Sequence, residues 1–272
     1  MFERFGRSWR LMKQSYGVLM QDKELLILPV LSGLCILVVL ASFLIPLGVF
    51  AGDDFDTEGR EGFWLVVTFL FYVVTYTIGI FFQAAIVAGA TERMTGGDPT
   101  VGSALRAAGS RFGAILMWGI VAGTVGMILK AIQERSEWVG RIVAGLLGAA
   151  WSLATFFVVP VLVLEKQPVG ASFKRSWGLV KERWGEAVIG GGGIGLASML
   201  FVIPLAVIVG FLANAGLVGL AIATGVGGGA LLMVFFSALQ SVYVAALYRY
   251  ATTEAAPKGF GIAEIKGAFR HK

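Results

Sequence analysis

The sequence predicts an all-α integral membrane protein: six transmembrane helices in three elbow-span-span repeats, each elbow an amphipathic helix at the cytoplasmic interface. Three observations carry this. The 272-residue chain is 57% hydrophobic and 14% charged, with a mean hydropathy of +0.81. Several apolar stretches reach the roughly 20 residues that a bilayer core requires. A basic, aromatic phrase occurs twice, each time ahead of a span.

The spans are expected at 25–50, 63–91, 112–131, 140–164, 186–213 and 216–248. The first is too long and uninterrupted for a cleaved signal peptide, despite a weak cleavage-like "VFA" before Gly52, and is read as a retained span. Of the 22 Lys and Arg residues, only Arg60, Lys130, Arg135 and Arg141 fall on the side opposite the N-terminus. Positive charge accumulates on the cytoplasmic side of membrane proteins, which places both termini there. This is the topology of a multi-pass protein of the cytoplasmic (inner) membrane. The same distribution explains the net charge of +5 without nucleic acid.

The first elbow opens the chain. Phe2, Phe5, Trp9, Met12, Tyr16 and Leu19 advance by alternating steps of three and four, so they share one helix face. Arg7, Arg10 and Lys13 occupy the remainder. The third elbow repeats the phrase: "FGRSWRLMKQSYGVL" at 5–19 returns as "FKRSWGLVKERWGEA" at 173–187. Its stripe is Phe173, Trp177, Val180, Trp184 and Ala187, flanked by Arg175 and Lys181. Basic residues around an aromatic stripe describe a helix in the membrane interface, favoured by anionic lipid. The same pattern suits a stripe packed on the protein's own cytoplasmic face, and sequence does not choose between the two.

The second elbow is a weaker copy, "VGSALRAAGSRFGA" at 101–114, matching "VGASFKRSW" from Val169 at an offset of 68. Pro99, Pro168 and Pro257 each follow an even-numbered span and open a Gly-containing amphipathic stretch, as proline suits the first turn of a helix. The units run 1–96, 97–166 and 167–250 of a single membrane domain, followed by an amphipathic cytoplasmic tail, 251–272.

The run "VVPVLVLEKQPVGASFKRSWGLVKERWGEAV" (158–188) resembles the core signature of the membrane domain found in some glycerophosphodiester phosphodiesterases and their stand-alone relatives. The first elbow and the ending "ALYRYATTEAAPKGFGIAEIKGAFRHK" are similar to an uncharacterised family of six-span prokaryotic membrane proteins. The resemblance implies a cytoplasmic-membrane protein without an assigned activity. It does not imply phosphodiesterase chemistry, which belongs to a separate soluble barrel domain that no segment here could form.

Candidate sites are sparse. Cys35 is the single cysteine and His271 the single histidine. That excludes an intramolecular disulfide, a cysteine-ligated cluster and a histidine triad, so neither an enzyme nor a cofactor is expected. The run Gly190 to Gly195 lacks the Lys-Ser or Lys-Thr of a phosphate loop and lies in a span. Gly191 with Gly195, and Gly225 with Gly229, are four apart and read as helix-packing faces. Gln83 and Gln240 are the most polar intramembrane side chains. They read as interhelical hydrogen-bond partners, or as the lining of a polar cavity. Pro46, Pro160 and Pro204 are expected to kink their helices.

The expected role is a non-enzymatic membrane protein that organises or senses the lipid surface. Its partners would be membrane lipids, anionic ones above all, and a homo-oligomer is compatible with its packing faces. The alternative is a channel or transporter for a lipid or small amphipathic solute. An intramembrane enzyme would need clustered titratable groups that the spans do not offer.

Overall fold

The structure is a computed structural model that describes residues 2–50, 61–135, 139–184, 193–261 and 265. Side chains are placed from Arg10 onward, apart from those of residues 46–50, 61, 135, 183–184 and 193–197. Among the described residues there are helices, turns and no strand. The order is α1 (Phe2–Gln21), a 3-10 turn (Lys23–Leu26), α2 (Ile27–Phe50), α3 (Glu61–Met94), α4 (Val101–Gly109) and α5 (Phe112–Arg135). There follow α6 (Val139–Ala154), α7 (Val158–Pro160), a π-helical turn (Val161–Glu165), α8 (Val169–Trp184), α9 (Gly193–Asn214) and α10 (Val218–Thr253).

Among the described residues, five helical segments are long and apolar enough to cross a membrane: Lys23–Ile45, Gly62–Met94, Phe112–Glu134, Val139–Glu165 and Val218–Thr253. The fifth expected span, 186–213, coincides with α9, whose described apolar stretch, Ser198–Asn214, is shorter. Residues 185–192, where that span was expected to begin, lie outside the described residues. These helices give the chain the make-up of a multi-pass membrane protein.

The chain forms two compact units. One comprises residues 30–85 and 105–178. Within it, α3 and α5 run antiparallel at close range, because glycine removes the side chains between them. A Cβ at Gly119 would stand 2.2 Å from Thr77 Oγ1, and one at Gly123 would stand 3.3 Å from Val73 Cγ2. The rings of Phe81 and Phe112 close one end of the pair, with centroids 6.2 Å apart. Helix α6 packs on α5, where Trp118 and Trp151 stack at 5.6 Å.

The other unit comprises residues 1–29, 86–104 and 179–272. Helix α1 packs on α9 and α10. The second half of α10 is core, with Leu239, Val242, Ala246 and Leu247 fully buried. Its first half and α9 form an antiparallel hairpin that leaves Phe211, Val226, Leu231 and Met233 exposed, as hydrocarbon-facing side chains would be. Gly228 meets α9 there: a Cβ on it would stand 2.8 Å from Leu205 Cδ1.

Local signals end the helices as backbone chemistry requires. Gly96, at φ +94°, lets Gly97 N–H bond to Glu92 C=O and its own N–H to Arg93 C=O, a Schellman cap. Gly216, at φ +80°, closes α9 in the same way onto Leu212 and Ala213. Helix α4 begins two residues after Pro99 with a reciprocal cap, Thr100 N–H to Ser103 Oγ and Ser103 N–H to Thr100 Oγ1, both 3.0 Å. Pro168 directly precedes α8, and Ser172 N–H bonds to its carbonyl. Pro257 instead opens a turn, in which Phe260 N–H bonds back to Pro257 C=O. Glycine follows it at φ +91° (Gly259), a conformation that a helix cannot continue.

Candidate functional site

The elbows are helices with one face inward and one outward. On α1 the inward face is Leu11, Met12, Ser15, Val18 and Leu19. Met12 and Leu19 of the expected stripe therefore pack within the protein. Tyr16 lies at the margin, 44% exposed, with its ring 6.0 Å from that of Phe235 on α10. The reason is geometric: Leu11, Ser15 and Val18 are small or aliphatic and fit a helix-packing surface that a tyrosine ring would hold apart. Arg10 and Lys13 are exposed. Arg7 and Trp9 lie in α1, but their side chains are outside the described residues.

On α8 the inward face is Ser172, Ser176, Leu179 and Val180. Opposite it, Lys174, Trp177 and Lys181 follow at steps of three and four, so they form one outward stripe. Both lysines are exposed, and Trp177 is 50% exposed. Arg175 pairs with Glu165 at 3.3 Å. The side chain of Trp184 is outside the described residues.

Several positions that correspond by sequence offset share their burial, although Ala107 and Arg175, and Arg10 and Gly178, do not. Across the offset of 68, Ala104 and Ser172 are buried, as are Ala108 and Ser176. Arg106 and Lys174 are exposed, as are Gly109 and Trp177. Across the offset of 168, Leu11 with Met12 and Leu179 with Val180 are buried, while Lys13 and Lys181 are exposed.

Beneath α8 the fourth span is interrupted. The α-helix stops at Ala154 and resumes at Val158. Val158 N–H bonds to Thr155 C=O rather than to Ala154 C=O. Ser176 fills the gap: its hydroxyl donates to Ala154 C=O at 2.8 Å and accepts from Phe157 N–H at 3.0 Å. Phe173 stacks on Trp151 at 5.9 Å. At the other end of the resumed piece, Arg111 donates to Leu162 C=O at 3.2 Å and Gln167 C=O at 2.9 Å. Those donors satisfy carbonyls that the π-helical turn and Lys166, at φ 56°, leave without helical partners.

A second polar cluster closes α3. Arg93 donates two N–H groups to the carboxylate of Asp22 and a further one to Asp98. Nearby, Ser103 donates to Glu92 at 3.2 Å.

The remaining candidates are dispersed. Gln83 and Gln240 are both half-buried and belong to different compact units. A Cβ at Gly225 would lie 3.5 Å from Val209, an ordinary contact, and one at Gly229 would meet nothing within 4 Å. Gly191 is outside the described residues, as are the surroundings of Gly195. The tightest glycine face among the described residues, Gly119–Gly123–Gly126, has its signal in "GIVAGTVG", whose glycines are spaced by four and three. Ser176 could have been suspected from its place in the repeated "RSW". The Asp22–Arg93 pairing had no local signal.

A sequence model described as Family of unknown function (DUF6159) matches residues 62–259. The match covers most of the chain, carries no link to glycerophosphodiester phosphodiesterases and does not fix the number of spans. No curated protein sequence matches the chain.

Proposed function

The chain belongs to the family of unknown function DUF6159, and we propose that it is a non-enzymatic multi-pass protein of the cytoplasmic membrane whose elbows hold anionic lipid. The observation that carries this is the outward stripe of α8. Trp177 stands half-exposed between exposed Lys174 and Lys181, opposite a buried face. An indole with a wet, basic surround suits the headgroup depth, where ring and cation each find a partner. Exposed Arg10, Lys13 and Arg106 give the other two elbows the same sign of charge. The matching burial across both offsets supports three related elbow-span-span units, with every elbow on the cytoplasmic side. The relation to the phosphodiesterase membrane domain belongs to this reading, through residues 158–188.

The test is thermal stability in nanodiscs of neutral phosphatidylcholine with and without anionic phosphatidylglycerol. Each surface Lys or Arg contributes about 1 kcal/mol of attraction to an anionic leaflet. Anionic lipid should raise the wild-type Tm, and a Lys13→Gln, Lys174→Gln, Lys181→Gln variant should lose most of that rise. Equal melting in both lipids would defeat the proposal. A second reading, a channel or transporter for a lipid or small amphipathic solute, draws on the interrupted fourth span, since discontinuous helices line many transport sites. Solute flux through proteoliposomes separates the two.

A further inference from the structure

We propose that the fourth span is hinged at residues 155–157 and that Ser176 of elbow α8 is the pin. Three observations point to it, all within one compact unit. First, the helical ladder is broken within the joint: Phe156 N–H reaches Leu153 C=O and Val158 N–H reaches Thr155 C=O, each three residues back rather than four. Phe157 N–H and Ala154 C=O are both taken by the Ser176 hydroxyl. Ser176 and Phe157 are fully buried, so water cannot replace that hydroxyl, and in a bilayer backbone groups must be satisfied internally.

Second, the elbow holds both the joint and the far end of the short piece beyond it, residues 158–165. Ser176 holds the joint and Arg175 holds Glu165. Its backbone links back to α6 pass through the joint: Thr155 N–H on Trp151 C=O, Phe156 N–H on Leu153 C=O at 3.3 Å, Val158 N–H on Thr155 C=O and Val161 N–H on Phe157 C=O, the last at 3.0 Å. Third, the far end is gripped by Arg111 through carbonyl oxygens rather than by a continued helix. The tightened i to i−3 bonds at Phe156 and Val158 make the joint the place where the span's own ladder is weakest. When α8 shifts at the membrane surface, the piece moves with it and the chain bends at 155–157. Pinned, the span is one element; unpinned, it is two. The hinge stands on hydrogen bonds alone and is independent of whether the outward stripe binds lipid.

The experiment uses the full chain in nanodiscs. Amide hydrogen exchange across 151–166 is compared for wild type, Ser176→Ala, Ser176→Thr and Ser172→Ala. In parallel, spin labels at positions 147 and 166, on a Cys35→Ser background, report the distance across the joint. Ser176→Ala should speed exchange of the Phe157 amide by on the order of tenfold, the worth of about one hydrogen bond, and should broaden the distance distribution. Ser176→Thr, which keeps the hydroxyl, should restore both. Ser172→Ala, which removes a buried hydroxyl from the same face, should change neither. Should Ser176→Ala not accumulate, Ser176→Cys keeps the volume with a weaker donor and is read in the same way. Unchanged exchange, an unchanged distance distribution, or the same loosening in Ser172→Ala would each overturn the hinge.

Discussion

Arg93 grips Asp22 through two parallel N–H···O bonds across 71 residues of sequence. The pairing ties the last turn of α3 to the 3-10 turn that follows α1. Paired forks of this kind are stronger and more directional than single contacts.

The two carboxylates on Arg93 should differ in weight. The Asp22 side chain is 6% exposed and that of Asp98 is 90% exposed. Exposed pairs are screened by water and salt, whereas breaking a buried one strands its partner. Asp22→Asn should lower the Tm by several degrees, and Asp98→Asn should leave it nearly unchanged. Melting both variants at low and high salt checks this; equal losses would mean that burial does not set the energetics of the pair.

Two glycine substitutions should act in opposite directions. A Cβ at Gly119 would collide with Thr77, so Gly119→Ala should force α3 and α5 apart at a cost of about 1–3 kcal/mol. At Gly229 a Cβ meets open space in a helix, so Gly229→Ala should be neutral or stabilising by up to about 1 kcal/mol. Melting the two variants side by side decides it. A loss at Gly229 like that at Gly119 would show that another surface covers the α10 glycines, a second copy of the chain being the first to test.

Orientation follows from charge. On a Cys35→Ser background, a cysteine at Lys258 should react with a membrane-impermeant maleimide only in inside-out vesicles, and one at Asp54 only in right-side-out cells. The basis is the six-span topology expected from the sequence, in which only Arg60, Lys130, Arg135 and Arg141 would fall opposite the N-terminus. Labelling of position 258 from outside intact cells would reverse the topology.

Sequence alone determined that the helices exist and where they run. The expected 63–91 is α3 at Glu61–Met94, and 112–131 is α5 at Phe112–Arg135. Apolar length and cap residues such as Gly96 and Gly216 are local properties, so they are visible in a window of one helix. The amphipathic elbows were legible for the same reason: periodicity shows that a helix has two faces. It does not show which partner receives the inner one, and so Tyr16 lies at the margin of a face that Leu11, Ser15 and Val18 help to form. The spans themselves are apolar all round, so periodicity cannot orient them, and only packing reveals that Gly119 and Gly123 are the close ones. The Asp22–Arg93 fork and the Ser176 pin were decided by tertiary structure alone. Each joins backbone or charge from segments distant in the chain, and neither half has reason to exist until the other is folded against it.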